Sequence, residues 1–203
     1  LLALERNIIT RANCKHWIPE VEAGISGKRL GIMGTGTIGS AVAQHAAHFG
    51  LAVTGLNSKG QSAPGFVTCY SNSHRFDFAQ GLDYLVSLLP STPATDGIVD
   101  AALLARMNPG GIFINAGRGN AVLNADLINA LQQGPLRYAI LDVFEEEPLA
   151  QSHALWNVPG LFITSHTAAP TPSEAIPEVF ARNLSLFLAG EPMPDALCSE
   201  RGY

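Results

Sequence analysis

The stretch RLGIMGTGTIGSAVAQHAAHFGLAVTGLNSKG, residues 29–60, decides the fold class of this sequence. A short apolar run enters a turn that carries Gly34, Gly36 and Gly39, and a helical pattern and a second apolar run follow. A G-x-G-x-x-G turn between a strand and a helix is typical of a site for a pyrophosphate group. The first glycine permits the tight turn, the second leaves the backbone open to the phosphate, and the third lets the helix pack closely on the strand. Alternatively, the turn is rich in glycine only because it packs well.

The start of the predicted helix after this turn offers further contacts to a phosphate. The first N–H groups of a helix have no partner within the helix, and the helix dipole favours a negative charge there. We therefore predict that the backbone at Thr37 and Ile38 faces the pyrophosphate.

The residues that follow the second apolar run indicate which dinucleotide is bound. A carboxylate at this point usually binds the hydroxyl groups of the adenosine ribose and repels a 2′-phosphate. Here Asn57 is uncharged, Ser58 offers a hydroxyl group and Lys59 supplies a positive charge. We therefore predict that NADPH is bound in preference to NADH. Alternatively, Asn57 and Ser58 are only turn formers, a role that both residue types favour.

The rest of the chain repeats the alternation of apolar runs and helical patterns. Continuous apolar runs are typical of parallel strands that are buried on both faces. Strands that alternate with helices predict a Rossmann-type, doubly wound α/β fold, which is a parallel sheet with helices on both faces. The segment 60–81 is richer in Gly, Ser and Asn and has no clear pattern. The predicted strands are 30–33, 51–56, 84–89, 112–115, 138–143 and 161–164, and the predicted helices are 1–15, 38–49, 100–106, 124–133 and 173–189.

Composition and charge argue against several classes of protein. Hydrophobic residues make up 47% of the 203 residues and charged residues 14%, which predicts a packed core and not a disordered chain. The net charge of −5, without a run of Lys or Arg, argues against nucleic-acid binding and against attachment to acidic membranes. The sequence has no run of 18 apolar residues, so no membrane span is expected. Three scattered cysteines predict neither a disulfide framework nor a metal site, and we expect a reducing cytoplasm.

The first residues of the chain form a helical pattern of their own. Leu1, Leu4 and Ile8 recur at helical spacing, and no capping residue stands ahead of them. A chain that begins inside an amphipathic helix is expected to be a fragment of a longer one.

Four further motifs, in order along the chain, carry a resemblance to a known family. They are LLPSTPATDGIVD (88–100), GGIFINAGRGNAVLNADLINAL (110–131), LDVFEEEPL (141–149) and SHTAAPT (165–171). Together with the glycine turn, they make the chain similar to the D-isomer-specific 2-hydroxyacid dehydrogenases over essentially its whole length. The 19-residue step from Glu147 to His166 and the terminal RGY resemble the glyoxylate/hydroxypyruvate reductase branch, which also favours NADPH.

The resemblance implies two α/β domains around a cleft, with the cofactor domain inserted into the chain of the substrate domain. It predicts a linker helix and hinge at 1–27, the dinucleotide-binding domain at 28–170, and a returning C-terminal helix and tail at 171–203. The N-terminal substrate domain of the family is expected to be missing. Relatives dimerise largely through the cofactor domain, so we expect a homodimer.

Three residues fit the chemistry of such an enzyme, in which a hydride reaches the carbonyl carbon of a 2-oxo acid and the carbonyl oxygen takes up a proton. Arg118 follows a predicted strand, where open α/β sheets bind ligands, and its planar guanidinium suits a carboxylate. His166 also follows a predicted strand, and an imidazole is the natural proton donor near neutral pH. Glu147 precedes Pro148, as the family's acid does, and would hold the second ring nitrogen of His166. Alternatively, Arg118 is a surface side chain and His166 is structural.

Other residues are assigned to the cofactor by the resemblance. Asp142 would receive the nicotinamide carboxamide, although Asp is also a common cap. Ser165 stands where many relatives carry Pro, which puts the rigidity of the His166 loop in doubt. The remaining cofactor residues are Leu89, Pro90 and Thr95 along the adenosine and nicotinamide ribose, Ala116 and Gly117 beside Arg118, and Ala168 and Ala169 beside the nicotinamide.

The leading hypothesis is an oxidoreductase that transfers a hydride from NADPH, or from NADH, to a small 2-oxo acid such as glyoxylate or hydroxypyruvate. An alternative is an NADP-binding or NAD-binding module without turnover, because without the substrate domain the positioning that supplies much of the rate would be lost. A third hypothesis is a hydrolase that uses tightly held NAD, and the ordered Arg, Glu and His motifs argue against it. No residue is assigned to a metal.

Overall fold

Seven strands form a single sheet in the computed structural model, which describes residues 1–5, 24–169, 173 and 175–193. They are β1 Arg29–Met33, β2 Ala52–Asn57, β3 Thr68–Ser71, β4 Tyr84–Ser87, β5 Gly111–Asn115, β6 Leu136–Leu141 and β7 Leu161–Ile163. Their order is β3-β2-β1-β4-β5-β6-β7, and every neighbouring pair is parallel. The order changes direction at β1, which is where doubly wound sheets bind ligands.

Helices connect most of these strands. They are α1 Leu2–Glu5, α2 Thr37–His48, α3 Arg75–Ala79, α4 Ala101–Leu104, α5 Asn124–Gln132 and α6 Ala175–Ala189, with 3₁₀ turns at Asn72–His74, Gly119–Ala121 and Ala154–Asn157.

Alternate side chains of the strands pack into two separate hydrophobic cores. In β1, Leu30 and Ile32 belong to one core and Met33 belongs to the other. The first core includes Ala43 and Ala46 of α2, and the second includes side chains of α3, α4 and α5. Because successive side chains of a strand point to opposite faces, helices cover both faces of the sheet. The predicted Rossmann-type fold is confirmed.

The described elements lie within two residues of the predicted ones, with one exception. The segment 60–81, which has no clear sequence pattern, contains β3, the 3₁₀ turn Asn72–His74 and α3. β3 lies at the edge of the sheet and is only partly buried, so it lacks a continuous apolar run. Conversely, the predicted strand 84–89 is too long, and the strand ends at Ser87. Leu89 lies in the loop that follows but is buried, so the apolar pattern of the sequence continues beyond the strand.

The first described helix is joined to the sheet by a buried carboxylate. Glu5 of α1 accepts hydrogen bonds from Lys28 Nζ at 3.0 Å and from the Tyr84 hydroxyl group at 2.6 Å. Burial, together with the hydrogen bond to Glu5, raises the pKa of Tyr84. The rest of the predicted helix 1–15 and the tail beyond residue 193 lie outside the described residues.

Candidate functional site

The glycine turn between β1 and α2 has open space above its backbone. α2 begins after Gly36, and no side chain caps its first N–H groups, while the side chains of Thr37 and Ile38 are exposed. A Cβ atom added at Gly36 would meet no atom within 4 Å. Gly34 has a φ of 98°, and a Cβ atom at Gly39 would lie 1.9 Å from the Gly34 carbonyl oxygen. This geometry leaves room for a phosphate at the start of the helix, where free N–H groups favour an anion.

Both the nitrogen and the oxygen of the Asn57 side-chain amide, at the end of β2, form hydrogen bonds with the glycine turn or with the loop after β2. Its nitrogen donates to the Thr35 hydroxyl group at 3.0 Å and to the Gln61 carbonyl oxygen at 2.7 Å. Its oxygen accepts from the N–H groups of Lys59 and Gln61, both at 3.1 Å. Asn57 therefore shapes the loop and ties it to the glycine turn, whereas the side chains of Ser58 and Lys59 are exposed.

The loops that follow β4, β5, β6 and β7 leave the same edge of the sheet. The strand register aligns the last residues of the four strands, which are Ser87, Asn115, Leu141 and Ile163. Ala116, directly after β5, donates its N–H to the Ser87 carbonyl oxygen at 3.0 Å. The site residues predicted from the sequence therefore lie at the carboxyl edge, on the side of the glycine turn.

The loop after β4 is held by contacts of its own. The buried Thr95 hydroxyl group donates to the Pro90 carbonyl oxygen at 2.7 Å and accepts from the Thr92 N–H at 3.0 Å. Leu89 is also buried, and a Cβ atom at Gly117 would lie 2.6 Å from the Leu89 nitrogen. Leu89, Pro90 and Thr95 thus form a wall that adjoins the turn after β5.

Arg118 lies in a turn that Asn115 shapes. The fully buried Asn115 donates to the Arg118 carbonyl oxygen at 2.9 Å and accepts from the Gly117 N–H at 3.2 Å. The exposed guanidinium of Arg118 donates from Nη1 to the Gly117 carbonyl oxygen at 2.7 Å. A Cβ atom at Gly119 would lie 1.9 Å from the Phe144 carbonyl carbon, so this turn packs directly on the loop after β6.

Glu147, in that loop, meets His166 from the loop after β7. Glu147 Oε2 and His166 Nδ1 are 2.8 Å apart, and Oε1 accepts from the Phe144 N–H at 2.8 Å. All three consecutive glutamates 145–147 are exposed, and it is Glu147 that contacts the imidazole. Sequence spacing alone does not make this distinction.

The electrostatics of the pair follow from these contacts. The hydrogen bond from His166, and then the one from the Phe144 amide, lower the pKa of Glu147, and the charges of His166 and Arg118 act in the same direction. An ionised carboxylate only accepts hydrogen bonds, so Nδ1 of His166 carries a hydrogen. Nε2 is then the ring nitrogen that can exchange a proton with a ligand.

Asp142, directly after β6, is buried beneath the His166 loop. Its carboxylate accepts hydrogen bonds from the Thr164 hydroxyl group, from the Thr167 N–H at 2.9 Å and from the Ala168 N–H at 3.0 Å. Burial favours the neutral acid, but these hydrogen bonds and the nearby His166 outweigh it and lower the pKa of Asp142.

The backbone of His166 adopts a conformation that is costly for a residue other than glycine. Its φ is 55°, in the left-handed region, which costs roughly 1–2 kcal/mol. Its N–H donates to the Asp142 carbonyl oxygen at 2.7 Å, so neighbouring contacts hold the strained residue in place. Ala168 and Ala169, which follow it, are exposed.

A cleft of about 460 Å³ adjoins the imidazole on the side of Glu147. Neither Arg118 nor the glycine turn lines it. The cleft is lined by Phe144, Glu147, Pro148, Leu149, Trp156, Ile163, Thr164, Ser165 and His166.

Three contributors to this geometry are absent from the predictions: Asn115, Thr164 and the Phe144 amide. Asn115 and Thr164 end otherwise apolar runs, and a polar residue at the end of a buried strand is a signal that was available. The Phe144 amide carries no signal, because every residue except proline has an N–H group.

The described residues contain neither a candidate membrane span nor a candidate metal centre. None of the helices in that part of the chain is long and apolar enough to cross a bilayer. Nor do three or more His, Cys, Asp or Glu side chains converge there in a group that could hold a metal ion.

Comparison with known proteins agrees with the fold and the motifs. The family profile described as "D-isomer specific 2-hydroxyacid dehydrogenase, NAD binding domain" matches residues 3–168. Glyoxylate/hydroxypyruvate reductase A of Serratia proteamaculans is 38% identical over 162 residues, which are 80% of this chain and 52% of that protein. The protein of the same name from Klebsiella pneumoniae is 36% identical over 188 residues, or 92% of this chain and 60% of that protein. The chain thus spans between about half and three fifths of the length of these two relatives.

Solved structures give the same assignment. An NADPH-dependent glyoxylate/hydroxypyruvate reductase from Sinorhizobium meliloti, in complex with NADP and sulfate, superposes with a TM-score of 0.91 at 32% identity, covering 100% of this chain and 65% of that one. A D-isomer specific 2-hydroxyacid dehydrogenase from Xanthobacter autotrophicus, in complex with NADPH and MES, also has a TM-score of 0.91 at 32% identity, covering 100% and 85%. The chain belongs to the D-isomer specific 2-hydroxyacid dehydrogenase family and carries the NAD-binding domain of that family.

Proposed function

We propose that the protein is an NADPH-dependent reductase of small 2-oxo acids, with glyoxylate or hydroxypyruvate as substrate. The observation that carries this proposal is the 2.8 Å contact between Glu147 and His166, beside the turn of Arg118 at the ligand-binding edge of the sheet. The names of the Serratia and Klebsiella relatives support the choice of substrate.

Arg118, His166 and Glu147 would each have a separate role in the reaction. A bound NADPH would supply the hydride. Arg118 would leave the Gly117 carbonyl oxygen and bind the substrate carboxylate, and its positive charge would polarise the neighbouring carbonyl group. His166 would give a proton from Nε2 to the carbonyl oxygen, and Glu147 would stabilise the imidazolium through Nδ1.

The cofactor would lie along the carboxyl edge of the sheet. Its pyrophosphate would rest on the turn from Gly34 to Gly39 and on the first N–H groups of α2. Ser58 and Lys59 are exposed, and β2 ends on the uncharged Asn57, which supports binding of the 2′-phosphate of NADPH. Complexes of two structural relatives with NADP or NADPH support the same choice.

A second candidate function is a dinucleotide-binding module without turnover. The 203 residues span 52% to 60% of the two reductases named above, and this candidate concerns those residues taken by themselves. A site that lacks one wall of the cleft would leave the substrate badly positioned, and positioning contributes much of an enzyme's rate.

The organisation of the chain is also part of the proposal. We assign residues 1–27 to a linker helix and hinge, 28–170 to the dinucleotide-binding domain, and 171–203 to a returning helix and tail. We further propose a homodimer in the cytoplasm. The exposed apolar side chains of α6 support assembly with a partner surface, and they include Ile176, Phe180, Leu184 and Phe187.

The reductase is tested by following the absorbance of NADPH with glyoxylate or hydroxypyruvate. The assay uses the 203-residue chain and the protein expressed from its complete reading frame. Turnover that His166→Ala and Arg118→Ala abolish, while both variants still bind NADPH, is the expected result. NADPH binding without turnover by either protein would favour the module, and absence of NADPH binding would contradict both functions.

A further inference from the structure

The cleft of about 460 Å³ beside the imidazole has mostly apolar walls. The apolar side chains that line it are Phe144, Pro148, Leu149, Trp156 and Ile163. The indole N–H of Trp156 donates to the Ala150 carbonyl oxygen at 2.9 Å, so this ring offers the cleft only its apolar surface. A small ligand in the cleft is therefore recognised by the few polar groups among these walls.

The polar side chains of the cleft differ in how far their hydrogen bonds are already used. The Thr164 hydroxyl group donates to Asp142, and both oxygens of Glu147 are hydrogen-bonded, one of them to His166 Nδ1. The exposed Ser165 hydroxyl group, by contrast, forms no hydrogen bond with any described residue. Ser165 Oγ and His166 Nε2 are thus the polar atoms of the cleft that stay without a partner in the described part of the chain.

Ser165 and His166 are consecutive in the chain, and their side chains line the same cleft. In an extended chain, consecutive side chains point to opposite faces. The chain leaves the extended conformation at His166, whose φ is 55°. Because consecutive Cα atoms are only about 3.8 Å apart, the hydroxyl group and the imidazole can contact one small molecule together.

We infer that Ser165 recognises a hydroxyl group on the side chain of the 2-oxo acid, an inference that rests on the proposed function. The carbonyl carbon of such an acid carries its oxygen, which would meet His166 Nε2, its carboxylate, which would meet Arg118, and its side chain. Because Arg118 does not line the cleft, the side chain is the group that enters it. The hydroxyl group of hydroxypyruvate would then form a hydrogen bond with Ser165, whereas glyoxylate and pyruvate have no hydroxyl group to offer. The preferred substrate is therefore a 2-oxo acid that carries a hydroxyl group on the carbon next to the carbonyl.

Hydroxypyruvate and pyruvate differ by this hydroxyl group alone, so the ratio of their kcat/KM values tests the contact. Ser165→Ala removes the hydroxyl group of the protein, and Ser165→Thr keeps it. Ser152→Ala is the matched control, because Ser152 is exposed in the loop after β6 and does not line the cleft. In the protein expressed from its complete reading frame, we expect Ser165→Ala to lower the ratio by about 2- to 12-fold, as loss of one neutral hydrogen bond does. Ser165→Thr and Ser152→Ala should keep the ratio of the unmodified protein.

The separate values of KM and kcat distinguish recognition of the hydroxyl group from a structural role of Ser165. The loss in Ser165→Ala should appear as a higher KM for hydroxypyruvate, because the contact already exists in the bound substrate before the reaction. A distorted His166 loop would instead slow the reduction of both acids and leave the ratio unchanged. An equal ratio in Ser165→Ala and Ser152→Ala would overturn the inference and leave the proposed function intact. If the unmodified protein reduces neither acid, the proposed function fails and the inference fails with it.

Discussion

Glu147 uses both of its carboxylate oxygens, one on the imidazole of His166 and one on the Phe144 N–H. The charge of Glu147 is therefore aimed at the ring nitrogen that does not face a ligand. In the proposed reaction, Glu147 would hold the imidazole through Nδ1 while Nε2 donates the proton. The same contact also fixes the orientation of the His166 ring. Substitution of Glu147 by glutamine can therefore distinguish the effect of its charge from the effect of its shape.

Glu147→Gln keeps the shape and removes the charge. We expect kcat/KM for the 2-oxo acid to fall by about 100-fold or more, because general acid catalysis contributes on that order. The dissociation constant of NADPH should not change. Glu146→Gln, at the exposed neighbouring position, is the control. Equal activity of the two variants in a steady-state assay would remove Glu147 from the mechanism.

The pKa of Asp142 predicts a dependence of stability on pH. Burial raises this pKa, but the hydrogen bonds from Thr164, Thr167 and Ala168 and the charge of His166 outweigh burial, and the net shift is downward. The unfolded chain has the ordinary pKa of about 3.9. Asp142 therefore contributes stability that is fully present above about pH 4 and is lost as the pH falls through the lower pKa of the folded state.

Urea unfolding at a series of pH values checks this dependence. The free energy of unfolding should fall more steeply towards acid pH in the unmodified protein than in Asp142→Asn. Parallel curves for the two proteins would mean that the hydrogen bonds to Asp142 do not stabilise its ionised form.

In the glycine turn between β1 and α2, Gly39 packs against the backbone, whereas Gly36 faces open space. A Cβ atom at Gly39 would collide with the Gly34 carbonyl oxygen at 1.9 Å, whereas a Cβ atom at Gly36 would meet nothing within 4 Å. Gly36 has a φ of −71°, which alanine also adopts. The two positions therefore respond differently to the same added methyl group.

Gly39→Ala should lower the free energy of unfolding by about 1–3 kcal/mol, the usual cost of overpacking. Gly36→Ala should leave the stability of the protein without ligand nearly unchanged and weaken NADPH binding, because its methyl group would occupy the place of the phosphate. Thermal unfolding and a fluorescence titration with NADPH measure the two effects. If Gly36→Ala bound NADPH as the unmodified protein does, the pyrophosphate would not lie on this turn.

The loop after β2 presents Ser58 and Lys59 on a frame that Asn57 holds. Lys59→Ala should weaken NADPH binding by about 2- to 5-fold, since an exposed charge contact contributes roughly 1 kcal/mol at most. NADH, which lacks the 2′-phosphate, is the internal control and should bind unchanged. The difference should shrink at high salt because exposed charges are screened. Equal losses for the two nucleotides would argue against a phosphate contact at Lys59.

The sequence was sufficient for the sheet, because buried parallel strands leave continuous apolar runs and the glycine turn marks the switch point of the strand order. It was not sufficient for β3, whose edge position removes that apolar signal. Nor did the sequence reveal that the Asn57 side-chain amide forms hydrogen bonds with its own loop, or that Asp142 forms hydrogen bonds with the His166 loop. Asn57 bonds Lys59 and Gln61 within its own loop, in a turn geometry that residue types alone do not specify. The contacts of Asn57 with Thr35 and of Asp142 with Thr164 join residues that are distant along the chain.

The proposed reaction requires one dinucleotide along the carboxyl edge of the sheet, from the glycine turn to the loops of Arg118 and His166. A crystal structure of the protein with NADPH would show where the dinucleotide lies. We expect the pyrophosphate over Gly36 and the nicotinamide beside His166, with an N–H of its carboxamide on Asp142. A nicotinamide ring that points away from His166 and Arg118, or a pyrophosphate bound elsewhere, would rule out this arrangement.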